Sequence, residues 1–422
     1  MAVYYVDPIN GKNEEDGLTP ERAKRDYTRI DVKAGDSVLF RRGSFLRESL
    51  KTVEGEENQV VTYGAYGEGE PPTFCGSTDV SRAEDWEDLG NHIWRCTAAI
   101  PGEVGNFVFN DNECSATFRW EREELKAQGD FWDNRMEGEC FYRTRTEEPG
   151  QEVLLYSERN PAEVYSHIEA VSFHDRIMVR LRSHMVLDGL RIINSGVHGC
   201  AGSGKNITIR NCRIENIGGC AWNKDIHVRF GNAIELWHYA EDVLVENCSI
   251  KNVYDSCVTH QGDGARTIPA KNFVCRNNLF DTYGMAAFEY RDKLPIDSSF
   301  TNNQCLNAGC GFAMAGEELP RTSEIWPQPM GHHIFLWRIP QATEGGNLVI
   351  SHNVFGKAPV GAAIYSIISP EAEAQITLDY NSYEENPVLL NRFGNKNYSD
   401  FSEYRAETGK DAHSTCLRTT DE

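Results

Sequence analysis

The stretch Ile207-Thr208-Ile209-Arg210-Asn211-Cys212-Arg213-Ile214 decides how this chain folds. Apolar and polar side chains alternate until an Asn-Cys pair interrupts them. Alternation with a period of two marks a strand with one buried face. The asparagine marks a turn, because its side chain bonds to neighbouring backbone and tolerates left-handed geometry. The pattern returns as Leu244-Val245-Glu246-Asn247-Cys248-Ser249-Ile250 and Val274-Cys275-Arg276-Asn277-Asn278-Leu279-Phe280. Weaker copies are Phe300-Thr301-Asn302-Asn303, Ile350-Ser351-His352-Asn353 and Leu378-Asp379-Tyr380-Asn381, and an earlier one is Val186-Leu187-Asp188-Gly189-Leu190. At the Cys/Asn position the steps are 23, 36, 30, 25, 50 and 28 residues, and the 50 reads as two coils of 25. A period in the twenties built from short strands predicts a parallel β-helix. One coil cannot bury its inner face alone, whereas stacked coils bury it together. The expected fold is all-β, one solenoid domain over residues 1–390 with the Asn/Cys positions stacked as an internal ladder. Leucine-rich repeats, the main rival, need regularly spaced leucines that are absent.

A second column follows each ladder. It holds Gly231-Asn232-Ala233-Ile234-Glu235-Leu236-Trp237, Ser256-Cys257-Val258-Thr259-His260-Gln261 and Met285-Ala286-Ala287-Phe288-Glu289-Tyr290-Arg291. Gly311-Phe312-Ala313-Met314 and Ala363-Ile364-Tyr365-Ser366 continue it. Aligning Ile234, Val258, Phe288, Phe312 and Ile364 as inward-facing sends Glu235, Thr259, Glu289, Ala313 and Tyr365 outward. Trp237, Gln261 and Arg291 then also point outward. The alignment treats residues 222–230 as an inserted loop. Residues 1–50 read as an N-terminal cap with the first strands. Residues 115–165 read as an insertion, helical over 121–128, and residues 391–422 as a polar C-terminal cap or tail.

Composition narrows the partners. The 422 residues carry 64 acidic and 42 basic side chains, a formal net charge of −22. Such a surface repels nucleic-acid phosphates and anionic lipid, so neither is an expected partner. No run approaches the apolar length that spans a membrane. The start lacks a basic region followed by an apolar core, which predicts no secretory signal. Thirteen cysteines, an odd number without zinc spacing, predict reduced thiols in a cytoplasm. Secretion is the alternative if the start has been trimmed.

The chain resembles bacterial right-handed parallel β-helix proteins of the pectin-lyase-like superfamily. The residues that carry the likeness are Tyr4-Tyr5-Val6-Asp7-Pro8, Asp16-Gly17-Leu18-Thr19-Pro20, residues 34–43, Gly129-Asp130-Phe131-Trp132, Asn160-Pro161-Ala162-Glu163-Val164-Tyr165 and His198-Gly199. The column segment at 231–237, Tyr254-Asp255 with Gln261-Gly262, and Phe288-Glu289-Tyr290 complete it. The resemblance implies a right-handed parallel β-helix and a carbohydrate-active relative. It does not imply one reaction, because hydrolases, lyases and epimerases share the fold.

The chemistry comes from the outward column. Glu235 and Glu289 stand two coils apart, which places them roughly 9–10 Å apart at about 4.8 Å per coil. Asp255 belongs to the coil between them. Paired carboxylates at about 6.5–9.5 Å suit inverting glycoside hydrolysis. The expected catalytic residues are Glu235, Asp255 and Glu289, with Glu289 as acid, Asp255 as base and Glu235 as the alternative base. The bland reading is a solvated acidic face. Expected substrate-binding residues are Trp222, Trp237, His198, His260, Gln261, Tyr290 and Arg291, the tryptophans by stacking on sugar rings. For Trp222 and Trp237 the competing reading is coil packing, and for the histidines ordinary structural bonding. His260 faces inward by the alignment, and the pair His332-His333 receives a loop and no role. No cofactor and no metal are expected, although Asp255 and Asp263 are the acids a calcium ion would use. A lyase or sugar epimerase acting on uronates is the alternative, with Arg291 and Lys293 as its candidates and Arg229 and Arg266 nearby. A non-catalytic carbohydrate-binding or structural β-helix is the third. The expected partner is an oligosaccharide or polysaccharide. Which sugar, and what oligomeric state, the residues do not say.

Overall fold

The computed structural model describes residues 1–134, 152–173, 177–224, 227–309, 312, 330–359, 361–384, 389–394 and 396–417. Among them the chain winds as a right-handed parallel β-helix with three strand faces. The site strands are β1 (His198–Arg210), β2 (Ile234–Glu246), β3 (Ser256–Gln261), β4 (Ala286–Arg291), β5 (His332–Ile339) and β6 (Ala362–Ile368). β1 and β2 run through a corner and belong to two faces at once. The first half of β2 pairs with β3, and its second half with Lys271–Arg276. A third face stacks ten short strands from Phe45–Leu46 to Thr415–Cys416.

Alternation decides what lies inside. Ile209, Val245, Cys275, Phe300, Ile350 and Leu378 pair rung upon rung and are buried. Each such aliphatic or aromatic side chain contributes about 1.5–3 kcal/mol by leaving water. Phe300 in turn meets Phe280 and Phe288, at ring centroid distances of 5.8 and 4.7 Å.

The ladder is in register. Cys212, Cys248, Asn278, Asn303, Asn353 and Asn381 are all buried. Asn278 Oδ1 accepts from Cys248 N (2.9 Å), Asn303 Oδ1 from Asn278 N (3.0 Å) and Asn353 Oδ1 from Asn303 N (2.9 Å). Each asparagine also returns its Nδ2 to a strand carbonyl, as Asn278 does to Val245 O at 3.0 Å. The left-handed backbone, however, falls one residue earlier than expected. Asn211, Asn247, Asn277 and Asn302 have φ of 54–57°, as do His352 and Tyr380 at 58°. The first residue of each pair makes the turn and the second fills the ladder.

Three expectations about the later coils need correction. The 50-residue step is one coil, because Ser298–Thr301 pairs directly with Leu348–Ser351. Its extra length falls between Gln304–Ala308 and β5, mostly outside the described residues. The residue in line with Phe288 is accordingly Ile334, not Phe312. Phe312 packs with Val108, Val171 and Tyr254, while Ala313 lies outside the described residues. His332-His333 is not a loop but the start of β5.

The excursion expected at 115–165 starts earlier, at Ser77–Asp79, and continues to Ile168–Ser172. It forms two small, mostly antiparallel sheets around Val80, Trp86, Phe107, Phe109, Phe118, Phe131 and Leu155. Residues 121–128 are not a helix. Only a 3-10 turn forms, Arg122–Glu124, because Asp130 Oδ2 takes the amides of Lys126 and Ala127 at 2.9 and 2.8 Å. The strand Val104–Phe109 rides on the solenoid at Gly105, where a Cβ would lie 2.6 Å from Cys220 N. Arg229 clasps the contact, donating to Gly219 O (2.6 Å) and Gly105 O (2.7 Å) with its guanidinium over Phe118 and Tyr254. It is thus a structural residue, not a uronate ligand.

Candidate active site

The site begins at a corner. Gly231 has φ 135°, and a Cβ there would lie 2.2 Å from Gly218 Cα, so only glycine lets these coils approach so closely. β2 follows and lays out the column. Glu235 pairs with Thr259, Thr259 with Glu289, Glu289 with Phe335 and Phe335 with Tyr365. Beside it, Trp237 pairs with Gln261, and Arg291 with Trp337. Glu235 and Glu289 therefore share a face two rungs apart, about 9–10 Å between backbones.

The two carboxylates have opposite surroundings. Glu235 receives Trp237 Nε1 and Gln261 Nε2 on Oε1, and Asn232 Nδ2 (2.9 Å) with His198 Nδ1 (2.9 Å) on Oε2. Asn232 N also points at His198 Nδ1, at 3.2 Å, but the shorter contact to an ionised carboxylate keeps the proton on that nitrogen. Burial alone would raise the Glu235 pKa. His198, Asn232 and the charge of Arg291 outweigh it and hold it at about 2. Among the described residues Glu289 accepts from Ser256 Oγ and Trp337 Nε1 alone, both at 2.7 Å. Its pKa is raised, chiefly by burial, with Arg291 opposing and the Asp255 charge adding to the rise. Asp255 sits in the corner, with its amide on Gly231 O (3.2 Å) and its carbonyl taking Met285 N (3.1 Å).

The carboxylates do not line an open groove. Glu235 and Glu289 are 2% exposed and Asp255 9%. The indole nitrogens of Trp237 and Trp337 donate directly to their oxygens. Between the glutamates, Thr259 is wholly buried; among the described residues its Oγ1, Gln261 Oε1 and Arg291 Nε have no hydrogen-bond partner. Buried polar atoms are paired in the great majority of cases, and these three lie on one outward face. The Arg291 guanidinium lies 4.8 Å from the Trp337 ring centroid.

Some expected members point elsewhere. Tyr290 and His260 are in line with Leu236 and Leu336, face inward and are wholly buried. Burial lowers the His260 pKa to about 4, and its ring lies 5.9 Å from that of Tyr290. Neither can touch a substrate on the outer face. Trp222 is half-buried in a short hairpin, Ala221–Asn223 with Val228–Arg229. Asp263 pairs with Arg266 at 3.3 Å. No group of three metal-ligating side chains occurs among the described residues.

Asn232, Ser256 and Trp337 were not anticipated. A signal for Trp337 was present: Gly331-His332-His333-Ile334-Phe335-Leu336-Trp337 repeats the Gly-x-x-Ile-x-Leu-Trp of residues 231–237.

A family model described as right handed beta helix region matches residues 160–319. The chain is similar to the solved structure of XylC with xylose at 14% identity and a TM-score of 0.56, over 91% of this chain and 62% of that one. The chain thus spans less than two thirds of that structure's length. It also matches a GH136 lacto-N-biosidase from Eubacterium ramulus (14% identity, TM-score 0.46, 99% of this chain and 67% of that one). A family 28 exopolygalacturonase from Yersinia enterocolitica matches at 12% identity and a TM-score of 0.34, over 99% of this chain and 78% of that one. No curated protein matches the chain.

Proposed function

We propose that this chain hydrolyses glycosidic bonds in an oligo- or polysaccharide. The observation that carries the reading is the pair of opposed carboxylates in one outward column. Hydrolysis needs one carboxyl protonated and one ionised at the same pH. Glu289, with its raised pKa and few donors, is suited to protonate the leaving oxygen. Glu235 is ionised, but its oxygens already accept four donors, which makes it a weak base. It instead holds Trp237, Gln261 and His198 in place. Asp255 is the base that draws a proton from water. Thr259 and Gln261 offer polar atoms to sugar hydroxyls, and Trp237 a ring edge or face to the sugar carbons.

A uronate lyase would need Arg291 or Lys293 as base. Arg291 already offsets the charge of Glu235, which would oppose a uronate, and also acts on Glu289. The test is a panel of p-nitrophenyl glycosides and uronate polymers, beginning with the xyloside because the xylose-bound structure shares this fold. New reducing ends without an unsaturated product support hydrolysis. An ultraviolet-absorbing unsaturated product replaces it with the lyase, and saccharide binding without turnover with a binding module. Glu289→Gln and Asp255→Asn should each lower turnover about 10²–10⁴-fold. Near-normal turnover in both variants and in Glu235→Gln would remove this site from the reaction.

A further inference from the structure

Asn106 is wholly buried, and among the described residues neither its Oδ1 nor its Nδ2 has a hydrogen-bond partner. It lies on the strand Val104–Phe109 of the excursion. Phe107 and Phe109 turn into the excursion's own core, so Asn106 and Val108 face the other way. Its cross-strand partner is Val171. Val108 and Val171 pack against Tyr254 and Phe312, and Tyr254 immediately precedes Asp255. The excursion therefore buries an unpaired amide on the face that packs against Tyr254, the residue before the proposed base. An amide left without partners in a packed interior is destabilising, and a residue that costs stability in the free protein is a common mark of a binding function.

We propose that Asn106 is a substrate-binding residue, one whose amide donates to and accepts from hydroxyls of the glycosyl unit held beside Asp255. This rests on the saccharide reading above and deepens it by assigning one wall of the site to the excursion. A carboxamide offers one acceptor oxygen and two N–H donors, which matches a sugar hydroxyl that both accepts and donates. A site built this way rejects an analogue lacking the hydroxyl, because the amide is again left unpaired.

The test compares wild type with Asn106→Leu, near-isosteric and apolar. Thermal unfolding is followed with and without D-xylose, D-galactose, N-acetyl-D-glucosamine and D-galacturonate, and kinetics on their p-nitrophenyl glycosides. The expected result is a Tm no lower than wild type in the absence of sugar, with KM raised about 10–100-fold and sugar-induced stabilisation lost. Wild-type KM and wild-type stabilisation by sugar would overturn the proposal, as would a lowered Tm with KM unchanged, which defines a structural asparagine. If Asn106→Leu fails to fold, Asn106→Ser is measured in its place, and a wild-type KM in that variant overturns the proposal. Wild-type protein that neither cleaves nor is stabilised by any of the sugars overturns the saccharide reading itself, and with it this inference. That failure is distinguishable because it appears before any variant is made.

Discussion

Glu235 and Glu289 are the same residue type on the same column, yet their neighbours give them opposite acidities. The Glu235 pKa of about 2 lies below the ordinary glutamate value, so its contribution to stability is full above about pH 4.5. That contribution is lost as pH falls from there through about 2. Glu235→Gln should cost about 3–5 kcal/mol at neutral pH, because it strips a buried pair and leaves His198 without its carboxylate. Urea midpoints measured against pH should show the gap to wild type narrowing below about pH 4.5. Glu289 has the opposite sign. Its raised pKa means that folding favours the protonated form, so its stabilising contribution is present below about pH 4.5 and is lost as pH rises through the raised value. Glu289→Gln should therefore be at least as stable as wild type at alkaline pH while losing turnover. A variant clearly less stable than wild type at pH 8 would show that the buried side chain is needed ionised.

Each coil element depends on two adjacent residues with different duties. Asn277 carries a φ of 57° and Asn278 fills the ladder. Replacing Asn277 by alanine puts a Cβ residue without a locally bonding side chain into left-handed backbone, a cost of about 1–2 kcal/mol, whereas glycine there should be nearly neutral. Replacing Asn278 by alanine leaves Cys248 N and Val245 O unpaired in the interior, a cost on the order of 2–4 kcal/mol. Denaturant unfolding of the three variants should rank them in that order. Equal losses for Asn277→Ala and Asn278→Ala would contradict the division of labour.

Over the whole molecule, the solenoid must stop without leaving its last rung open. Asp411 performs this at the C-terminal end. Buried, it accepts from Asn381 Nδ2 (3.2 Å), Tyr383 OH (2.8 Å), Tyr404 OH (2.9 Å) and Ser414 Oγ (2.6 Å). The region expected as a polar cap or tail holds a short helix, Phe401–Thr408, that brings Tyr404 onto the final coil. Asp411→Ala should increase protease cleavage after residue 380 and lower Tm, with the site strands affected last, since coils interact only with their neighbours. The thiols are also a property of the stack. Cys200, Cys212, Cys248, Cys257, Cys275 and Cys305 are buried free thiols, and Cys114 is exposed. Cys212 and Cys248 are free thiols rather than a disulfide, and their Sγ atoms donate to the carbonyl oxygens of Arg210 (3.2 Å) and Glu246 (3.3 Å). Alkylation of native protein should label Cys114 and spare those six, which should react once the protein is unfolded without reductant. Recovery of a Cys212–Cys248 disulfide from freshly prepared protein would contradict the ladder.

The sequence by itself determined the coil, its ladder and the outward column, because period-two alternation and an Asn-Cys or Asn-Asn pair are local signals that repeat. Glu235, Thr259 and Glu289 were placed on one face from that alternation alone, and their register agrees. The inward turn of Tyr290 was equally implicit, since it follows Glu289 by one residue. Where the chain left the coil, local patterns stopped constraining it. The return at β5 was misread because a 50-residue step divides evenly into two coils of 25, and only the pairing of Phe288 with Ile334 decides between one coil and two. Tertiary structure also decided the acidities. Whether a carboxylate meets four donors or two depends on side chains from other coils, and Trp337 lies 48 residues from the glutamate it touches. The packing of Val108 and Val171 on Tyr254 was equally invisible in the chain, because docking of the excursion rests on a glycine at 105 and on the reach of Arg229, which no periodic pattern encodes.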